Sequence, residues 1–131
     1  MYRILVSVII LLWAPGAGAQ PQLANPASVN CTQRGGRLTI ERRPDGGEFG
    51  VCVFADNYQC EEWALLRGEC PRTGLRVTGF ATMAGRYCAI TGGRYSVVSA
   101  PGANPEQGTC TLANDTSCAA DAYYAGTCPV R

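Results

Sequence analysis

The chain has 131 residues, and its 11 Lys plus Arg against 10 Asp plus Glu leave a formal charge of +1, a balance that implies neither nucleic acid nor an anionic membrane as partner. All 11 cations are arginine and there is no histidine, which removes the usual general base, the usual zinc nitrogen ligand and any Schiff-base lysine. Eight cysteines, an even number, read as a disulfide framework in an oxidising compartment.

In chain order, residues 1–19 have the pattern of a secretory leader: Arg3, an apolar run from Ile4 to Trp13, and the small-residue cleavage signal Ala17-Gly18-Ala19. The run is short for a bilayer span and no second apolar segment follows, so export without stable membrane insertion is expected, to the periplasm or beyond. Next, Asn25-Pro26 is an N-cap followed by proline at the first helical position, and Gly35 a stop, which predicts a helix over Pro26 to Arg34. Arg37 to Glu41 and Phe49 to Phe54 read as the strands of a hairpin turning at Pro44 to Gly47. After a tight turn at Asp56-Asn57, a second helix is expected from Cys60 to Arg67, with Glu61 and Glu62 in its first turn, Arg67 in its last, and Gly68 ending it.

The plan then recurs: a helix over Thr82 to Thr91, strands over Arg94 to Ser99 and Gly108 to Leu112, and a helix capped by Ser117 and ending at Gly126. The cysteines fall at 31, 52, 60 and 70 and again at 88, 110, 118 and 128, with gaps of 21, 8 and 10 followed by 22, 8 and 10. Gly35-Gly36-Arg37 matches Gly92-Gly93-Arg94, Gly50 matches Gly108, and Gly68 and Pro71 match Gly126 and Pro129. The spacing reads as a tandem duplication of a unit of about 45 residues. The expected fold is therefore α+β: a first unit over 20–71, a linker over 72–79 and a second unit over 80–131, each helix, hairpin, helix.

Units of this size bury too little apolar surface to stand without staples. Four cysteines per unit allow three pairings. Cys60 with Cys70 is disfavoured, because a helix of ten residues would separate the two by roughly 15 Å, beyond a disulfide's reach of about 7 Å. Cys31–Cys60 with Cys52–Cys70, or Cys31–Cys70 with Cys52–Cys60, remain; the first is preferred because it ties helix to helix and strand to helix, as Cys88–Cys118 with Cys110–Cys128 would in the second unit.

NPASVNCTQRGG (25–36), GVC (50–52) and CEEWALLRGEC (60–70) resemble a small cysteine-rich domain of exported bacterial proteins that carries a hemolysin label and has no characterised function. The first unit matches over nearly its whole length and the second keeps little beyond cysteines and glycines. No amphipathic or pore-forming segment accompanies the label, so hemolytic activity is not expected from it.

No catalytic residue, metal or cofactor is expected. Adjacent Glu61 and Glu62 point about 100° apart on a helix and are replaced by Ala119 and Ala120 in the second unit, so helix-dipole stabilisation is their default role. No Cys-x-x-Cys knuckle supports zinc or thiol redox chemistry. Trp63 reads by default as core, on one helical face with Leu66 and Cys70, yet its counterpart is Asp121, a residue rarely buried unpaired. Exposure at that position would make Trp63, with Glu62, Arg67 and Tyr58, a contact surface for an envelope or extracellular protein, which Phe54, or Tyr123 and Tyr124 of the second unit, could join. Phe54 and Tyr124 read as core. The expected product is a non-enzymatic binding or structural module of the cell envelope. The alternative is an inhibitor of an extracellular hydrolase that inserts a rigid turn, Asp45 to Glu48 or Asp56 to Tyr58.

Overall fold

Asn25 opens the first helix, accepting from the backbone N–H groups of Ala27 and Ser28 at 2.9 and 3.4 Å, and Pro26 follows it where no N–H is needed. The structure, a computed structural model, describes residue 16 and residues 24–128; the expected leader and its cleavage signal, and the Pro129 match, lie outside the described residues. Helix α1 (Pro26–Gln33) leads into the hairpin β1 (Arg37–Arg42) and β2 (Glu48–Val53), in register from Arg37↔Val53 to Arg42↔Glu48. A single 3-10 turn at Ala55–Asn57 delivers β3 (Tyr58–Glu61), which pairs antiparallel with β2, and α2 (Glu62–Arg67) follows directly. Leu75–Arg76, inside the stretch expected to link the units, form β4 on the far side of β3, completing a sheet of order β1-β2-β3-β4.

The second half runs α3 (Met83–Ile90), β5 (Arg94–Val97), β6 (Gly108–Thr111), β7 (Ser117–Ala119) and α4 (Ala120–Tyr124), with a sheet of order β5-β6-β7. The α+β class is as expected. Each half differs from helix, hairpin, helix in the same way, by a third short strand just before its last helix.

That strand overturns the expected cystine pairing. The bridges are Cys31–Cys52, Cys60–Cys70, Cys88–Cys110 and Cys118–Cys128. Cys60 is not helical: it lies in β3, opposite Cys52. Helix α2 is only six residues long, a rise of about 9 Å. Gly68 then takes the left-handed conformation (φ 76°), and the N–H groups of Gly68 and Glu69 donate back to the Leu65 and Ala64 carbonyls at 3.2 and 2.9 Å. This reversal returns the chain alongside β3, so the Cys60 and Cys70 Cα atoms are 5.9 Å apart, within disulfide reach.

The matched glycines have a packing reason. A Cβ on Gly36 would stand 2.2 Å from Cys52 Sγ, and one on Gly93 2.7 Å from Cys110 Sγ, so in both halves the bare backbone makes room for the cystine behind it. Gly50 lies under the Glu62 side chain, and Gly108 under the Tyr95 ring.

Two small cores surround the cystines. One gathers Cys31, Cys52, Cys60, Ala64, Leu65 and Cys70; the other Ala84, Cys88, Cys110 and Ala120. A third cluster, Phe49, Val51, Val77, Tyr87 and Ile90, takes residues from both halves and the segment between them. Tyr87 sits at its centre, its ring 5.0 Å from Phe49, 5.2 Å from Tyr123 and 5.1 Å from Tyr124. Beside it Arg86, nearly buried, donates to both Glu41 carboxylate oxygens (2.8 and 2.6 Å) and to Gln59 Oε1 (3.0 and 2.6 Å), a bidentate bridge between halves. Phe54 packs against the first core and Tyr124 joins the shared cluster, as expected.

A Cβ at Gly50 would lie 2.6 Å from the Glu62 carboxyl carbon, whereas one at exposed Gly79 would meet nothing within 4 Å. Gly50→Ala is therefore expected to cost about 1–3 kcal/mol and Gly79→Ala to be neutral or stabilising by under about 1 kcal/mol, measured by the urea midpoint of the oxidised protein.

A cleft between the two halves

The residues flanking the α2 start do more than close a helix. Glu61, the last residue of β3, acts as N-cap: its carboxylate accepts from the N–H groups of Trp63 (3.1 Å) and Ala64 (2.9 Å). Glutamate suits this position here because the strand-like backbone of Glu61 (φ −66°, ψ 139°) turns the side chain back over the first turn. Glu62 leaves the helix in the opposite sense, crosses bare Gly50, and receives Ser28 Oγ at 2.6 Å and Asn25 Nδ2 at 3.4 Å. The start of α2 is thereby tied to the start of α1.

Both carboxylates are buried, 8 % and 5 % exposed, while Trp63 beside them is 39 % exposed. All three line a cleft of about 500 Å³ along the seam between the halves. Phe49 and Gly50 of β2 continue its wall, Tyr87, Thr91 and Tyr123 of the second half face them, and Arg43, Arg67, Ile40 and Glu48 complete the lining. Tyr123 donates to Thr91 Oγ1 at 2.9 Å, and Arg43 Nη1 to the Tyr87 hydroxyl at 3.3 Å, which fixes the aromatic wall.

Of the expected contact residues, Trp63 and Arg67 are brought together here, and Trp63 is not a core residue. Asp121, its counterpart, is exposed as well. Glu62 departs from the expectation: it is a buried tie to Ser28, not an exposed flank. Tyr58 lies elsewhere, on β3, with the Arg76 guanidinium 5.7 Å from its ring centroid. Tyr87 and Arg43 were missed as cleft residues, since each reaches the cleft only through packing between the halves, whereas Tyr123, which could join the expected contact surface, does line the cleft. A hint was present in the replacement of Leu65 by Tyr123 at the matched position. The two turns also separate. Asp56 and Asn57 form an exposed turn with positive φ (58° and 60°). Asp45 is held by Gly47 N–H (2.9 Å) and Arg43 Nε (3.2 Å) and lies against Gly126, where a Cβ would come within 2.4 Å of its carboxylate, so this turn is packed on the second half.

Burial raises the Glu61 pKa, and the two helix N–H groups only partly offset this. A raised acid pKa means that the folded state holds the proton more tightly than the unfolded chain. Stability from this group is therefore full below the unfolded pKa and falls as pH rises through the folded value. Glu61→Gln removes that dependence, so the variant should gain on the parent between about pH 3 and about pH 7. Thermal unfolding of both across that range checks it; an unchanged difference would contradict the buried-carboxylate assignment.

Residues 22–69 match the family described as a domain of unknown function (DUF333). The chain is also similar to the uncharacterized protein YdbJ of Escherichia coli strain K12 and to the protein of that name in Escherichia coli O6:H1 strain CFT073, 33 % identical to each over 57 residues. That alignment spans 44 % of this chain and 62 % of each relative, so the chain covers less than two thirds of the relatives' length. No solved structure matches it. The matched span carries Glu61, Glu62, Trp63 and Arg67 but neither Tyr87 nor Tyr123, so the cleft is built from the DUF333-like segment together with residues outside it.

Proposed function

We propose that this chain is an exported, non-enzymatic, disulfide-stapled binding module of the bacterial cell envelope, hemolysin-like in family resemblance only, that meets a partner protein at the cleft. The exposed Trp63 at the mouth of that cleft carries the reading. A half-exposed tryptophan on a short helix, held between two cystine-anchored segments, loses little entropy on contact and offers a large apolar face. The carboxylates beside it serve as helix cap and interhelix tie, which supports binding over acid–base catalysis. Four disulfides support an oxidising compartment, periplasmic or extracellular, and no helix among the described residues is long and apolar enough to cross a membrane. The two halves descend from a tandem duplication in this reading: the side-chain cap of each half's first helix, the glycines and the bridges recur at matched positions, and the Trp63 side chain does not.

The second reading, an inhibitor of an extracellular hydrolase, draws on the exposed Asp56–Asn57 turn. One experiment separates them. Oxidised protein immobilised as parent, Trp63→Ala and Asp56→Ala/Asn57→Ala is exposed to envelope extract. The binding-module reading expects Trp63→Ala to weaken retention of the partner by more than about tenfold, as for an interface hot spot, with its far-ultraviolet circular dichroism unchanged. Retention lost only in the turn variant favours the inhibitor, and retention equal in all three contradicts both.

A further inference from the structure

The cleft continues past Tyr123. A second cavity of about 210 Å³ shares Arg67, Thr91 and Tyr123 with the first and runs on to Leu112 and Ala113. The two cavities adjoin at these three shared residues, so together they offer room for a ligand longer than either one.

Their lining carries both signs of charge, and most of these ions are paired. Arg43 pairs with Asp45 at 3.2 Å, Arg67 with Glu69 at 3.1 Å, and Glu48 on the rim with Arg42 at 2.9 Å. Glu61 and Glu62 form no ion pair among the described residues, although the Arg67 charge acts on Glu61: their hydrogen bonds come from neutral donors, the Trp63 and Ala64 amides and the Ser28 and Asn25 side chains. A carboxylate accepts at about four positions, and each of these two uses two. Two buried carboxyl groups thus line a wall whose neighbours are the Trp63, Tyr87 and Tyr123 rings, surfaces that attract a cation in their own right.

We infer that the groove takes an extended, basic peptide segment of a partner protein, with one lysine or arginine side chain set against Glu61 and Glu62 and its stem against Trp63. This deepens the proposed binding role and rests on it. Arginine suits the site better than lysine: its planar donors can pair with a carboxylate while the guanidinium stacks on an aromatic face. The raised pKa of Glu61 is a desolvation cost that an incoming cation would relieve.

The test is selection of a random linear heptapeptide library on the immobilised oxidised chain and on Trp63→Ala, followed by calorimetric titration of the enriched peptides. Enrichment of sequences with an arginine or lysine is expected on the parent and not on Trp63→Ala. Replacing that arginine by citrulline, which keeps shape and removes charge, should weaken binding by about tenfold or more; this comparison needs no protein variant, so a folding defect cannot mimic it. Enriched peptides without a basic residue, or equal affinity for the citrulline form, overturn the cation assignment while leaving a Trp63-dependent binding surface intact. No enrichment on the parent overturns the peptide assignment, and enrichment that survives Trp63→Ala removes the cleft itself as the contact site.

Discussion

The reversal of the chain at Gly68, locked by the bridge from Cys60 to Cys70, is the constraint on which the rest of the molecule depends. Cys60 is opposite Cys52 in the sheet, and Cys52 is bridged to Cys31 in α1. The two cystines and the β2–β3 pairing therefore make one continuous tie from α1 through the sheet to the end of α2. Closing loops of 21 and 10 residues, each bridge stabilises by about 3 kcal/mol through the entropy of the unfolded chain, a large share of what so small a unit can gain otherwise. Every cleft residue on the first half's helix side, Glu61, Glu62, Trp63 and Arg67, lies inside the ten-residue Cys60–Cys70 loop. The staple that holds the fold also holds the site.

The second half has the same skeleton with different side chains on it, and the difference makes the cleft. Where Glu62 lies over Gly50, the Tyr95 ring lies over Gly108, so the buried carboxyl group on one side becomes an aromatic ring on the other. Where Leu65 fills the first core, Tyr123 reaches outward to Tyr87 and Thr91. One half thus supplies the carboxylates and the tryptophan, and the other an aromatic wall. The Arg86–Glu41 bridge and the Tyr87 cluster hold the two at a fixed separation, so the cleft is a property of the pair.

Much of this was legible in residues. Asn25-Pro26, the Gly-Gly-Arg pairs, the alternation over Arg37–Glu41 and the charge order around α2 identify α1, the first hairpin and α2 by local chemistry, and all three are present. The third strands were not legible. Tyr58–Glu61 and Ser117–Ala119 are four and three residues long, too short for an alternation to show, and each runs without a break into a helix. Merging strand and helix then made the correct bridge look impossibly long. Cys60 and Cys70 were judged from the rise of one long helix, when six residues of helix and a left-handed glycine return the chain to its start. The exposure of Trp63 was readable from Asp121, because a charged residue at the matched position limits how deeply that position is buried. Across the seam Tyr123 could be named as a residue able to join the surface, but Tyr87 could not, since contacts between halves carry no sequence period.

The account is tested most directly by locating the disulfides in the oxidised protein by non-reducing mass spectrometry. Cleavage at arginine alone cannot decide, because Cys52 and Cys60 remain on one peptide, as do Cys110 and Cys118; added cleavage at Asp56 and Asp115 separates them. The fold requires Cys31 linked to Cys52, Cys60 to Cys70, Cys88 to Cys110 and Cys118 to Cys128. A link from Cys31 to Cys60 or Cys70 would contradict the chain reversal at Gly68, and with it the position of every residue assigned to the cleft from α2.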